Sequence, residues 1–250
     1  MNRPLCLSVV FSVIAAAILS GCSGAPVQLC LRDPIQLYDS KTDVDGVRLT
    51  LAWGRNTRVT GLDLGLGMLE SDRMSGVRLG GLCFVHFMDG AQVTLLANSC
   101  TPTEVVEGSG IMSISRYDSC ANGLQATGLW NDACRLNGVQ LTLFSNSADR
   151  LNGMQVAGLM NGAVRVNGVQ LAGLLNRAAD DMVGVQIALF YNDCSGNERV
   201  IASMRGLQIG LVNFVQRGNA VQIGLINIAP NQVIPVLPLI HPGLWPKNGE

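Results

Sequence analysis

The sequence predicts an all-β chain wound as a β-solenoid, in parallel stacked coils of about 15 residues. Three observations predict it. A nine-residue phrase recurs at a nearly fixed spacing, clearest as Gly168-Val169-Gln170-Leu171-Ala172-Gly173-Leu174-Leu175-Asn176. Residues within the phrase alternate in character, the period of two expected of a strand. Asn-Gly pairs at Asn122, Asn137, Asn152 and Asn167 precede successive copies and mark corners that need positive φ. An antiparallel meander or small barrel is the competing architecture, because Asn-Gly is also a hairpin signal. Uniform connections and the same Asn at every strand end favour stacked coils.

Residues 1–21 form the first element, a targeting segment. Arg3 supplies a positive start, and the apolar run that follows is too short to span a bilayer as a helix. It ends in Leu19-Ser20-Gly21-Cys22, which resembles the lipobox of bacterial lipoproteins. That resemblance implies cleavage before Cys22, a diacylglycerol on its thiol, palmitate-type acylation, and attachment to a membrane without a protein span. Ser23 in place of Asp after the Cys implies an outer-membrane rather than an inner-membrane destination.

Residues 22–45 are read as anchor, tether and N-terminal cap, with the apolar stretch 27–37 off the repeat. Degenerate copies begin at Gly46, Gly61, Gly76 and Gly90, and residues 46–98 form the first block. Residues 99–122 are an insertion without the phrase. Residues 123–228 form the second block, with copies at Gly123, Gly138, Gly153, Gly168 and Gly184 and shortened ones at Gly206 and Ala220. Eleven copies make a rod of roughly 50 Å. Residues 229–250 contain Pro230, Pro235, Pro238, Pro242 and Pro246. Proline donates no ladder hydrogen bond, so this tail is read as a cap over the last sheet edge.

In stacked coils identical residues form columns. The alternation is read with Val and Leu filling the interior and Gln on the outer face. The closing asparagines Asn131, Asn146, Asn161, Asn176 and Asn192 form an amide ladder. The Gln column, from Gln125 to Gln222, is read as a second ladder, with sugar hydroxyls as its alternative ligand.

The phrase, with Pro34-Ile35-Gln36-Leu37, Asp45-Gly46-Val47-Arg48-Leu49, Gly61-Leu62-Asp63-Leu64-Gly65-Leu66 and Val236-Leu237-Pro238-Leu239-Ile240, resembles a family of bacterial surface-repeat proteins. Copies in that family typically read Gly-Leu-Gln-x-Gly-Leu-x-Asn. The likeness runs from about Pro34 to Trp245. It implies an exported or surface repeat protein and carries over no catalytic residue.

Composition narrows the chemistry. Net charge is −1, and removal of residues 1–21 takes away only Arg3, leaving −2. A nucleic-acid partner is not expected of such a chain. Six cysteines remain after Cys6 and Cys22 are set aside, and Cys100 and Cys120 flank the insertion as a candidate disulfide. No Cys-x-x-Cys occurs and His86 lies far from His241, so neither a metal nor a cofactor is expected. His86 is read as a core or edge histidine beside Phe84 and Phe87, where the repeat breaks.

One column carries charge. Arg58, Arg73, Arg135, Arg150, Arg165 and Arg217 stand three residues before the next copy. Arg135, Arg150 and Arg165 form a candidate anion-binding stripe for lipopolysaccharide phosphates or acidic glycans. A solvated charged edge, compensated by Asp132, Asp149, Asp180 and Asp181, accounts for the same residues. The carboxylate pairs Asp180-Asp181 and Asp43-Asp45 support no catalytic assignment, since short uniform turns leave no cleft around them. The expected function is a membrane-anchored, non-catalytic scaffold that meets a glycan, a lipid surface or another surface protein. A carbohydrate-active β-helix enzyme is the alternative, and an outer-membrane barrel component the third reading.

Overall fold

The computed structural model describes residues 24–100, 120–196 and 201–243. It is an all-β solenoid of about 12 turns with parallel coils, and it is not a barrel. The first strands are β1 (Ala25–Arg32), β2 (Ile35–Gln36), β3 (Val44–Gly65), β4 (Met68–Cys100), β5 (Cys120–Thr127), β6 (Trp130–Thr142), β7 (Ser145–Ala157) and β8 (Met160–Ala172). Apart from β2, each pairs in parallel with a strand one coil away. Gly138, Gln140 and Asn146 lie against Gly153, Gln155 and Asn161, which lie against Gly168, Gln170 and Asn176.

The N-terminal segment expected to lie off the repeat is itself a coil. Val27, Gln28 and Leu29 pair in parallel with Val47, Arg48 and Leu49. β2 then folds back antiparallel onto β1 and covers that end of the stack. At the other end Val236–His241 pairs antiparallel with the last coil, Gln222 opposite His241. His241 is fully buried there, with Nε2 2.9 Å from Ile234 O.

The opening glycines have a steric cause. Gly153 and Gly168 adopt φ of 139° and 148°, a region open in practice only to glycine. A Cβ on Gly168 would also stand 1.9 Å from the carbonyl oxygen of Gly153 in the coil below.

The interior is the reverse of the one expected from hydrophobicity. Gln125, Gln140, Gln155, Gln170, Gln186, Gln208 and Gln222 are 0% exposed, and Val169 and Leu171 beside Gln170 are half-exposed on the outside. Stacking explains the inversion. Gln155 Nε2 donates to Gln140 Oε1 at 2.8 Å and to the carbonyl of Gly162 at 3.4 Å. Gln170 repeats this with Gln155 and Arg177. Buried amides that keep their hydrogen bonds escape the cost of burial. Asparagines form the expected second ladder, also inside: Asn131 donates to Asn146, Asn146 to Asn161 and Asn161 to Asn176, at 2.8–3.0 Å. Small residues such as Ala133, Ala148 and Ala163 fill the remaining width, together with Leu136, Leu151 and Val166.

Candidate functional site

Because amides occupy the interior, aliphatic side chains line one whole flank of the rod. Between the opening residue and the closing position of each coil, from Gly46 to Asn227, the only charged residues are Arg48, Asp63 and Arg78. All three are fully buried. The outward residues of this arc are therefore uncharged from Gly46 to Asn227, and exposed Arg32, opposite Trp53 on the first coil, is the charge at its N-terminal end. Leu66, Leu95, Leu143, Leu189 and Leu225 form its crest at a corner of the coil, 60–79% exposed. Phe144, Phe190 and Trp130 flank the crest, each about half exposed. Exposed apolar area this continuous is unusual on a soluble protein and marks a contact surface.

The charged residues gather on the opposite arc. Arg135, Arg150 and Arg165 are exposed and stack in register on consecutive coils. Arg58 stacks on Arg73 further down, and the Arg73 guanidinium lies 5.5 Å over the Phe87 ring. Cys120 interrupts the column between Phe87 and Arg135. Arg217 is separated from the triplet and stands beside Ser203. Arg165 Nε donates to Asp180 Oδ2 at 2.7 Å. That hydrogen bond, with the Asp180 charge, holds the Arg165 pKa above its ordinary value. Arg177 and Asp193 make a looser pair at 3.6 Å. Asp181 contributes its backbone carbonyl to Val166 N, and Asp43 does the same for Ala25 N.

Sequence reasoning missed a buried ion triad. Arg48, Asp63 and Arg78 occupy, on three consecutive coils, the offset that elsewhere holds Gln. Arg48 Nε and Nη2 grip the two Asp63 oxygens at 2.7 Å each, and Arg78 Nε reaches Oδ2 at 2.6 Å. Remaining guanidinium donors go to Asn56, the carbonyls of Glu70 and Phe84, and Ser71. Burial by itself raises the Asp63 pKa, but Arg78 and Arg48 outweigh it and the net shift is downward. The signal was available: each of the three follows its opening glycine by two residues.

The expected Cys100–Cys120 bridge is not formed, and both are free thiols. The chain leaves the coil at Cys100 and rejoins it at Cys120, but the two side chains sit differently. Cys100 is fully buried, with Sγ donating to His86 O at 3.2 Å. Cys120 is half-exposed beside Asn122 and Asn137. Burial, followed by the nearby Cys120 and Cys134 thiols, pushes the Cys100 pKa well up, so the nucleophilic thiolate is scarce. The chemistry assigned to Cys22 and to the body of the insertion lies outside the described residues. His86 is an edge residue, Nδ1 3.3 Å from Asp72.

Comparison with protein-family models, with curated proteins and with solved structures finds no match to this chain.

Proposed function

We propose that the protein is an exported, lipid-anchored β-solenoid that acts as a non-catalytic scaffold at a membrane, lying with its uncharged flank against lipid. The observation that carries this reading is the segregation of charge around the coil. From the coil of Gly46 onward, every exposed charge avoids the arc crested by Leu66, Leu143 and Leu189. A convex aliphatic ridge with aromatic neighbours suits the boundary of a lipid layer, where apolar area enters and the polar side stays in water. Cys22, as the lipidated residue, would tether the rod two residues ahead of Gly24. The side left facing water carries Arg135, Arg150 and Arg165, whose guanidinium forks suit the phosphates and carboxylates of lipopolysaccharide or acidic glycans.

Two measurements test the two halves separately. Intact mass of the exported chain should show cleavage before Cys22 and an added diacylglycerol. An unmodified Cys22 would overturn the anchor. Flotation of Cys22→Ser with phospholipid vesicles should still carry a share of the protein upward. Adding Leu143→Asp and Leu189→Asp should abolish that share. Flotation unaffected by the two Asp substitutions would overturn the lipid-facing flank.

A further inference from the structure

The uncharged flank is concave at its N-terminal end. An open groove of about 930 Å³ runs between the fold-back of β2 and the first five coils. Its walls are Leu29, Leu31, Leu49, Leu51, Leu64 and Leu79, closed above by Ile35 and Leu37. Gly81 stands over Leu66 at the crest position, as Gly128, Gly158 and Gly173 do on later coils, and leaves the ridge without a side chain there. No charged residue lines the groove.

The Gln36 side chain in the lining is unsatisfied. Both amide atoms of Gln36 are shielded from solvent without a hydrogen-bond partner, whereas the Thr50 hydroxyl follows Arg48 inward and lies toward Gly54 inside the coil. Orphaned polar atoms are costly and call for a ligand that supplies partners. Aliphatic walls with a few converging polar groups are the usual composition of a small-molecule site, and the volume falls in the range such sites occupy. Leu31, Leu51, Leu66, Gly81 and Leu95 belong to five successive coils, so the groove spans about 19 Å. That is the length of an extended long-chain acyl group.

We propose that this groove binds, non-covalently, the hydrocarbon chain of a long-chain fatty acid, with the carboxyl end at Gln36. The carboxyl group offers acceptors to the Gln36 amide hydrogens, and the chain covers the leucine columns. The site is independent of the Cys22 anchor, and its test removes that anchor. Its position on the uncharged flank opens it to lipid, from which a fatty acid can enter without crossing water.

The test is a titration of full-length Cys22→Ser in detergent-free buffer with cis-parinaric acid, a fluorescent fatty acid. Saturable binding near one equivalent is expected. Leu51→Glu and Ile35→Glu, both at exposed wall positions, should each weaken it at least about ten-fold, because a charge enters an apolar site. Leu189→Glu, on the same crest several coils away, should leave it unchanged. Gln36→Leu should weaken cis-parinaric acid while sparing the uncharged hydrocarbon probe diphenylhexatriene. Absence of saturable binding, or equal losses in Leu51→Glu and Leu189→Glu with unchanged circular dichroism, would overturn the site. If lipidated wild type fails to bind where Cys22→Ser binds, the groove belongs to the protein's own anchor and the free-fatty-acid assignment falls.

Discussion

Arg48 clasps Asp63 through two parallel hydrogen bonds of 2.7 Å inside the coil stack, where neither side chain is exposed to water. Removing Asp63 strands two buried guanidinium groups. Asp63→Ala should therefore destabilise the N-terminal coils by about 3–5 kcal/mol. The triple change Arg48→Gln, Asp63→Gln, Arg78→Gln extends the amide ladder instead. It should fall within about 1 kcal/mol of wild type, since neutral replacements of buried ion clusters are often tolerated. Urea denaturation of both variants measures this.

The same cluster predicts a pH dependence. Burial raises the Asp63 pKa, Arg78 and Arg48 lower it further than burial raises it, and the folded value lies below the unfolded one. A depressed folded pKa contributes stability that is complete above the unfolded value, near 4, and is lost as pH falls through the folded value. The wild-type chain should lose stability below about pH 4 more steeply than the triple Gln variant. Parallel acid profiles of the two would contradict this.

Two glycines nearby in sequence should respond oppositely to alanine. At Gly168 the φ is 148° and an added Cβ meets Gly153 O at 1.9 Å. At Gly162 the nearest atom to an added Cβ is Asn146 O at 4.0 Å. Gly168→Ala should cost well over 1 kcal/mol, and Gly162→Ala should be neutral or slightly stabilising, by up to about 1 kcal/mol. Thermal melts of the pair check this directly.

Asn161 accepts from Asn146 and donates to Asn176 and to Leu171 O. Asn161→Leu leaves those groups buried and unmatched, at about 1–3 kcal/mol for each one not re-paired. Met160→Gln, one residue away but outward, should change stability by no more than about 0.5 kcal/mol. Hydrogen exchange at the flanking coils should rise in the first variant and stay unchanged in the second.

How much of this was legible in the sequence differs by feature. The period set the coil length, and Asn-Gly located the corners, because both depend on local backbone sterics. The direction in which the alternating residues point was not legible. A period of two separates Gln170 from Leu171 without saying which is inside. Hydrophobicity alone puts Leu171 inside. In-register stacking instead gives each interior amide a partner above and below, while the narrow coil favours small neighbours such as Ala163. That reversal is also why the uncharged flank was overlooked. The first coil was hidden because Pro26 stands where later coils have glycine, and no closing Asn follows. The Arg triplet was placed correctly as a column, but the Arg165–Asp180 pairing depends on an extra residue before Gly184 that the period does not predict.

In the proposed arrangement one flank of the rod faces lipid and the other faces water. The most direct measurement is fluorescence depth quenching on vesicles, with an environment-sensitive probe on a single cysteine introduced at Leu143, Leu174, Arg150 or Arg165 in a chain whose other cysteines are replaced by serine or alanine. Brominated acyl chains should quench the probes at Leu143 and Leu174, and leave those at Arg150 and Arg165 open to aqueous iodide. Equal acyl-chain quenching at all four positions, or aqueous exposure of all four on vesicles that carry the protein, would rule out that arrangement.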